Sequence, residues 1–358
     1  AGSIQIIGKE HTLKVDISKG ADEIMEKIVY AGEISNVVGE AGTNVGGMLE
    51  KVRQTMADLT EKEPSDIYIR DLLAVNTFAP ISVRGGVAGE FSMEQAVGIA
   101  SMVNSDKLQM SIIAQEVERE LGITVEIGGA EAEAAILGAL TTPGTDRPLA
   151  ILDLGAGSTD ASIIDSRGQI LAVHLAGAGD MVTMLINSEL GLENHHLAED
   201  IKRYPLAKVE SLFHIRHEDG TVQFFDKPLS GDLFARVVIV KENDEFVPID
   251  DGDYSIEKIK LVRQSAKERV FVINAIRALK RVSPTQNIRD IPFVVIVGGS
   301  ALDFEIPQLV TEALSQHAIV AGRGNVRGLV GPRNAVATGL ILTYVREKWG
   351  GDYGISLY

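Results

Sequence analysis

The stretch Ile151-Leu152-Asp153-Leu154-Gly155-Ala156-Gly157-Ser158-Thr159-Asp160 decides how this chain is read. Leu149 to Leu152 is an apolar run that predicts a buried strand. It ends in an Asp, a small-residue turn, a hydroxyl pair and a second Asp. A further strand follows at Ala161 to Ile164. Two strands joined by a turn of glycines and hydroxyls make a cradle of backbone N–H groups that suits a phosphate chain. The flanking carboxylates Asp153 and Asp160 suit a Mg²⁺ ion that keeps its waters. The alternative is a tight hairpin whose glycines only turn the chain. No G-x-x-x-x-G-K-[ST] occurs, so a P-loop is excluded.

Composition narrows the function classes. With 358 residues, one to three domains and a large core are expected. A hydrophobic share of 45 % points to a globular chain. The net charge of −16 argues against non-specific binding to nucleic acid or to an anionic membrane. The absence of cysteine removes disulfides, thiolate metal sites and a cysteine nucleophile, and fits a cytoplasmic location. No apolar run approaches the roughly 20 residues of a membrane span, and the N-terminal residues lack the pattern of a secretory signal.

Outward from the opening motif, residues 1–112 read as a separate α/β module. Its expected elements are strands at Ile4–Ile7 and Thr12–Ile17, helices at Ala21–Tyr30 and Thr43–Leu59, strands at Ile67–Val75 and Ile81–Val83, and a helix at Ser92–Val103. Residues 113–358 read as a second unit, with 191–290 as its smaller helical and hairpin part. There the sequence predicts helices over Leu108–Leu121 and Glu131–Leu140 and a strand at Thr124–Ile127. It also predicts a hairpin turning at Asp219-Gly220 and one long helix capped by Ser255. Ile256, Ile259, Val262, Ala266, Val270, Ile273, Ile276 and Leu279 should share one face of that helix.

Four further motifs carry chemistry. Gly128-Gly129-Ala130-Glu131 opens a helix of alanines and glycines that can pack very close to a neighbouring backbone. Ala178-Gly179-Asp180 is a strand-to-helix turn whose amides could face phosphate. Glu199 and Lys202 lie on one helix face, with Arg203 beside them, and alone would read as a surface ion pair. Val297-Gly298-Gly299-Ser300 ends a buried strand in glycines that let a flat ring approach the backbone.

Together these motifs resemble the actin-like ATPases, a ribonuclease H-like α/β fold. Asp153 to Asp160 looks like their second phosphate loop, and Val297 to Ser300 like their adenosine motif. Glu199, Lys202 and Arg203 resemble the adenine and ribose helix of the seventy-kilodalton chaperones. Glu131 to Leu140 and Arg333 to Gly339 resemble the two connecting helices. Gly177-Ala178-Gly179-Asp180-Met181-Val182-Thr183 and Tyr204-Pro205-Leu206-Ala207-Lys208-Val209-Glu210-Ser211-Leu212-Phe213-His214 narrow the match. They resemble the large subunits of the reactivating factors for adenosylcobalamin-dependent diol and glycerol dehydratases. Residues 1–112 resemble the linker domain of those proteins.

The resemblance implies ATP or ADP with Mg²⁺ as ligands. Gly155, Ala156, Gly157, Ser158 and Gly179 would bind phosphate, and Asp153 and Asp160 would hold Mg²⁺ through water. Glu199, Lys202, Arg203, Gly298, Gly299 and Ser300 would bind adenosine, and Glu131 would orient the attacking water. Implied partners are a small (beta) subunit and a diol or glycerol dehydratase from which damaged cobalamin is released. The N-terminal lobe with the family's first phosphate loop is expected to be absent and so becomes a further partner. A non-catalytic scaffold and another actin-like kinase are the rival readings.

Overall fold

The computed structural model describes residues 3–39, 45–82, 91–103, 107–145, 149–165, 167–249 and 254–349. The chain begins with β1 (Ser3–Gly8), β2 (Thr12–Asp16), α1 (Ala21–Ala31), β3 (Ile34–Gly39), α2 (Val45–Thr60), β4 (Ile69–Ser82) and β5 (Phe91–Val103). These strands form one antiparallel sheet in the order β2-β1-β3-β4-β5. Ile4, Ile6, Val15, Ile24, Val37 and Leu72 pack in its core. Most of Gly39–Gly47, the glycine-rich opening of the second helix, lies outside the described residues.

Ser92–Val103 is a strand and not the helix that its Met, Glu, Gln and Ala content favours. It pairs with β4 along nearly its whole length, from Ile69↔Val103 to Ser82↔Phe91. The strands expected at Ile67–Val75 and Ile81–Val83 accordingly merge, over the described residues, into the single β4 from Ile69 to Ser82, with Val83 outside the described residues. Long-range pairing overrides local propensity here.

Next come α3 (Lys107–Leu121), α4 (Glu131–Ala139), β6 (Leu149–Leu154), β7 (Ser158–Ile164), β8 (Ile170–Ala176), α5 (Gly179–Glu189) and α6 (His195–Arg203). Thr124–Ile127 carries no regular structure, in place of the expected strand. Strands β9 (Leu206–Ser211), β10 (His214–His217), β11 (Val222–Phe224), β12 (Val237–Val240) and β13 (Phe246–Pro248) form a small antiparallel sheet, ordered β11-β10-β9-β12-β13. Its β10–β11 turn at Asp219-Gly220 is the expected hairpin, with Gly220 at φ +88°.

The chain closes with α7 (Ile256–Lys267), a π-helical turn (Glu268–Val272), α8 (Ile273–Val282), β14 (Phe293–Val297), α9 (Ile306–Ser315), β15 (Val320–Arg323) and α10 (Ala335–Trp349). The π turn breaks the single face expected for the long helix. Ile259, Ala266 and Val270 are buried before or within it. After it the buried set becomes Asn274, Ala275, Ala278 and Leu279, while Ile273 is exposed. An i→i+5 turn inserts a residue and rotates the following face, so a strict 3.6 period fails across it.

A third five-stranded sheet has the order β15-β14-β6-β7-β8. β6, β7 and β8 run antiparallel, and β14 and β15 add in parallel to β6. This is the α/β, ribonuclease H-like order expected of an actin-like lobe. One face packs on α4 and α10 through Ile136, Ile151, Val295 and Val297. The other face shares a core with α5, α7, α8 and α9, into which β4 inserts Leu73 and Val75. No helix of the described residues is long and apolar enough to cross a membrane.

α4 and α10 touch backbone to backbone. A Cβ on Gly138 would lie 1.8 Å from Ala335 O, and one on Gly339 would lie 1.8 Å from Ala134 O. Gly339→Ala gains about 1 kcal/mol of helix propensity but must push the two helices apart. The steric effect wins because backbone cannot yield as a side chain does. We expect a net loss of about 1–3 kcal/mol, read by urea denaturation. A more stable variant would mean that the helices are not in contact.

Candidate functional site

The site begins where β6 and β14 end side by side, with Val297 paired to Asp153. After β6 the chain turns through Gly155, Ala156 and Gly157 into β7. After β14 it turns through Gly298, Gly299 and Ser300. Gly298 has φ +94°, and a Cβ there would lie 2.3 Å from Asp153 Oδ1 and 2.6 Å from Leu154 O. Only glycine fits that place. Ser300 Oγ donates to Gly155 O at 3.0 Å and ties the two turns together.

The carbonyls of the hairpin turn are held from one side. Gly177 N donates to Gly157 O at 3.0 Å, Gly179 N to Gly155 O at 3.3 Å and Asp180 N to Ala156 O at 2.8 Å. The amide of Gly155 is taken by Ser158 O at 3.0 Å. Among the described residues, the amides of Ala156 and Gly157 find no backbone acceptor, and both residues are exposed. They are therefore the N–H groups of this hairpin most available to an anion. The amide of Gly179, a sequence candidate for phosphate contact, instead braces the hairpin.

Asp153 and Asp160 are cross-strand partners, and Asp160 pairs in turn with His174 on β8. Three polar side chains thus sit in one row across β6, β7 and β8. Asp160 Oδ2 accepts from Ser158 Oγ at 3.0 Å. Its Oδ1 is buried without a hydrogen bond, although His174 Nδ1 lies 3.1 Å away. Burial, then the charges of Asp160 and Glu131, push the Asp153 carboxyl up to about 6. The two aspartates, with Glu131 near them, form a negative patch in which His174 is the neighbour of Asp160, and among the described residues no Lys or Arg is ion-paired to either aspartate. No group of three or more His, Asp or Glu residues is arranged to hold a metal directly among the described residues. The pair suits an ion held through its waters. Glu131 is the first residue of α4 and is exposed.

The third part of the site differs from its sequence reading. Lys202 is buried and not on the surface. Its Nζ donates to Glu199 Oε2 at 2.6 Å, Thr183 Oγ1 at 2.8 Å and Gly179 O at 3.1 Å. Thr183 also donates to Glu199 Oε2 at 2.6 Å. Burial raises the Glu199 carboxyl, but the bonds from Lys202 and Thr183 outweigh it and hold the group below its ordinary value. The trio fastens α6 to the first turn of α5, so Lys202 supports the fold in addition to any ligand contact. Arg203 is exposed and lies over the Tyr204 ring, 5.4 Å from its centroid.

The structure brings together Asp153, Asp160, Gly155 to Ser158, Gly179 and Gly298 to Ser300, with Glu131 within electrostatic range. Sequence reasoning missed His174, and Thr159, whose Oγ1 donates to Gly177 O at 3.0 Å. His174 owes its position to strand register and leaves no local signal, whereas Thr159 belongs to the motif's hydroxyl pair and only its bond to Gly177 is unforeseen.

A family model described as the diol dehydratase reactivase ATPase-like domain matches residues 15–344. The chain belongs to this family. It is 67 % identical over 347 residues to the propanediol dehydratase-reactivating factor large subunit of Salmonella typhimurium, covering 97 % of this chain and 57 % of that protein. The diol dehydratase-reactivating factor large subunit of Klebsiella michiganensis matches at the same identity and the same coverage. The solved structure of a diol dehydratase-reactivating factor in nucleotide-free form superposes with TM-score 0.86 at 67 % identity, covering 96 % of this chain and 56 % of that one. A glycerol dehydratase reactivase does so with TM-score 0.86 at 60 % identity, over the same shares of the two chains. The chain spans a little over half the length of these reactivase relatives.

Proposed function

We propose that this chain supplies the nucleotide-responsive part of a reactivating factor for a cobalamin-dependent diol or glycerol dehydratase. In this reading residues 113–358 are an actin-like ATPase lobe, with 191–290 as its smaller part, and residues 1–112 are a linker domain. The observation that carries it is the half-buried Asp153–Asp160 pair, with no Lys or Arg partner among the described residues, beneath a hairpin whose Ala156 and Gly157 amides have no backbone acceptor among them, in a chain of the reactivase family.

The residues divide the work as follows. Within the Gly155–Ser158 turn, the Ala156 and Gly157 amides bind the phosphates of ATP or ADP, and the Gly155 amide closes the turn on Ser158 O. Asp153 and Asp160 would hold Mg²⁺ through its waters, and that ion would neutralise phosphate charge. Gly298, Gly299, Ser300, Glu199, Lys202 and Arg203 line the adenosine side. Glu131 orients the attacking water. Ala156, Gly157, Gly299 and Glu131 are exposed, so the chain presents one wall of a cleft. In-line phosphoryl transfer needs clamping from both sides and exclusion of water. The chain by itself should therefore bind ADP and hydrolyse ATP very slowly. Nucleotide exchange would alter its affinity for a small subunit and for the dehydratase, which is how a ligand drives a two-state chaperone. A cytoplasmic location accords with this role.

Calorimetry of Mg-ADP on the isolated chain tests the reading. Asp153→Ala should weaken binding by roughly tenfold to a hundredfold, the scale of a lost charge-assisted interaction. Unchanged affinity would exclude the hairpin as the phosphate site. Phosphate release with and without dehydratase then separates a slow ATPase from a scaffold that never turns over.

A further inference from the structure

The turn that braces the phosphate hairpin is itself held from beneath by side chains outside the site. Asn274 on α8 is fully buried. Its side-chain amide donates to Ala176 O at 2.9 Å and to Gly177 O at 2.8 Å, and its Oδ1 accepts from Arg277. Asp71 on β4 is buried as well. Its Oδ2 accepts from the Ala176 amide at 2.9 Å, and its Oδ1 lies 3.0 Å from Arg281 Nη1 and 3.5 Å from Arg277 Nη2. Arg277 also donates to Leu72 O at 3.4 Å.

Gly177 lies against the same strand. It has φ +92°, and a Cβ there would lie 2.4 Å from Leu73 Cδ2. From Asp71 the path to the hairpin is short. One bond reaches Ala176, and the next residue donates to Gly157 O at 3.0 Å. Thr159 Oγ1 closes the turn by donating to Gly177 O. A buried, fully bonded network of this kind admits few arrangements, because any loosened member would be left unpaired in a low dielectric.

We propose that Asn274 and Asp71 are positioning residues for nucleotide binding. They fix the Ala176–Gly179 turn, through it the Gly155–Gly157 carbonyls, and so couple the N-terminal sheet to occupancy of the phosphate hairpin. This rests on the reading of that hairpin as the phosphate site. The π turn at Glu268–Val272 is part of the device, since it rotates α8 so that Asn274 faces the sheet. Coupling is reciprocal: whatever the strand does to ADP affinity, ADP must do to the strand.

The experiment measures ADP affinity by calorimetry, together with amide exchange at Ala176–Asp180 and along β4, with and without ADP. Asn274→Ala should raise the ADP Kd about tenfold, the scale of an unpaired buried polar group. ADP should slow exchange in β4 of the unaltered chain and not in the variant. Asp71→Asn keeps the shape and the acceptor for Ala176 while removing the charge that holds the arginines. It supplies the same readout if Asn274→Ala does not fold, and the two changes together should be non-additive. A lower melting temperature with unchanged ADP affinity and exchange would reduce the network to a structural strut and overturn the proposal. Asp153→Ala is the control. If it too leaves ADP binding unchanged, the reading of the hairpin fails; if it weakens binding while Asn274→Ala and Asp71→Asn do not, only the positioning role fails.

Discussion

Arg263→Ala should destabilise the chain by about 3–5 kcal/mol, the cost of breaking a buried ion network by removing one partner. Arg263 and Lys267 on α7 are both fully buried. Arg263 Nη2 lies 2.7 Å from Glu305 Oε1 and 2.9 Å from Glu218 Oε1. Lys267 Nζ lies 2.8 Å from both Asp303 Oδ1 and Glu305 Oε2. The Phe304 ring faces both cations, 4.9 Å from Arg263 Cζ and 4.6 Å from Lys267 Nζ. Without the guanidinium, Glu218 and Glu305 would face each other across a water-poor space. The network also anchors the turn that carries Ser300, because Asp303 Oδ1 accepts from the Glu305 and Ile306 amides.

The pH dependence adds a check. Burial raises the Glu305 carboxyl, but Arg263 and Lys267 outweigh that and depress it. A depressed carboxylate contributes stability above its unfolded pKa, and that contribution is lost as pH falls through the folded value. The gap between wild type and Arg263→Ala in urea melts should therefore narrow towards acid pH. A gap that stayed constant with pH, or stayed under about 1 kcal/mol as a surface pair would give, would contradict the network.

Asp153→Asn should have the opposite sign. The Asp153 carboxyl is pushed from 3.8 up to about 6 by burial first and then by Asp160 and Glu131. Between those values the folded chain keeps a proton that the unfolded chain has lost, so stability falls as pH rises through that window. A shift of this size corresponds to up to about 3 kcal/mol at neutral pH. The neutral amide removes the penalty. The variant should match wild type near pH 4 and become the more stable of the two above pH 6, while its Mg-nucleotide affinity falls. Gain of stability with loss of binding is the mark of a residue held for function. Wild-type and variant melts that stayed parallel from pH 4 to 8 would exclude the raised carboxyl.

Much of this was legible from sequence because it is local. Asp153 to Asp160 spells strand, turn and strand within ten residues. Ser255 caps its helix by accepting from Lys258 N, and Asp219-Gly220 turns its hairpin. The small residues of α4 announced a close backbone approach, which Gly138 and Gly339 make. The sheet order of the large lobe follows from these elements and from the family resemblance together. What tertiary structure decided depends on partners far away in sequence. Phe91–Val103 became a strand because β4 offers thirteen residues of backbone pairing, a gain that local propensity does not contain. Lys202 became a buried brace because α5 lies across it. His174 reached Asp160, and Asn274 reached the Ala176–Gly177 turn, through strand register and a π turn respectively. Periodicity reports which face of an element is apolar. It does not report which other element will cover that face, and in this chain that choice determines which polar groups are buried and paired.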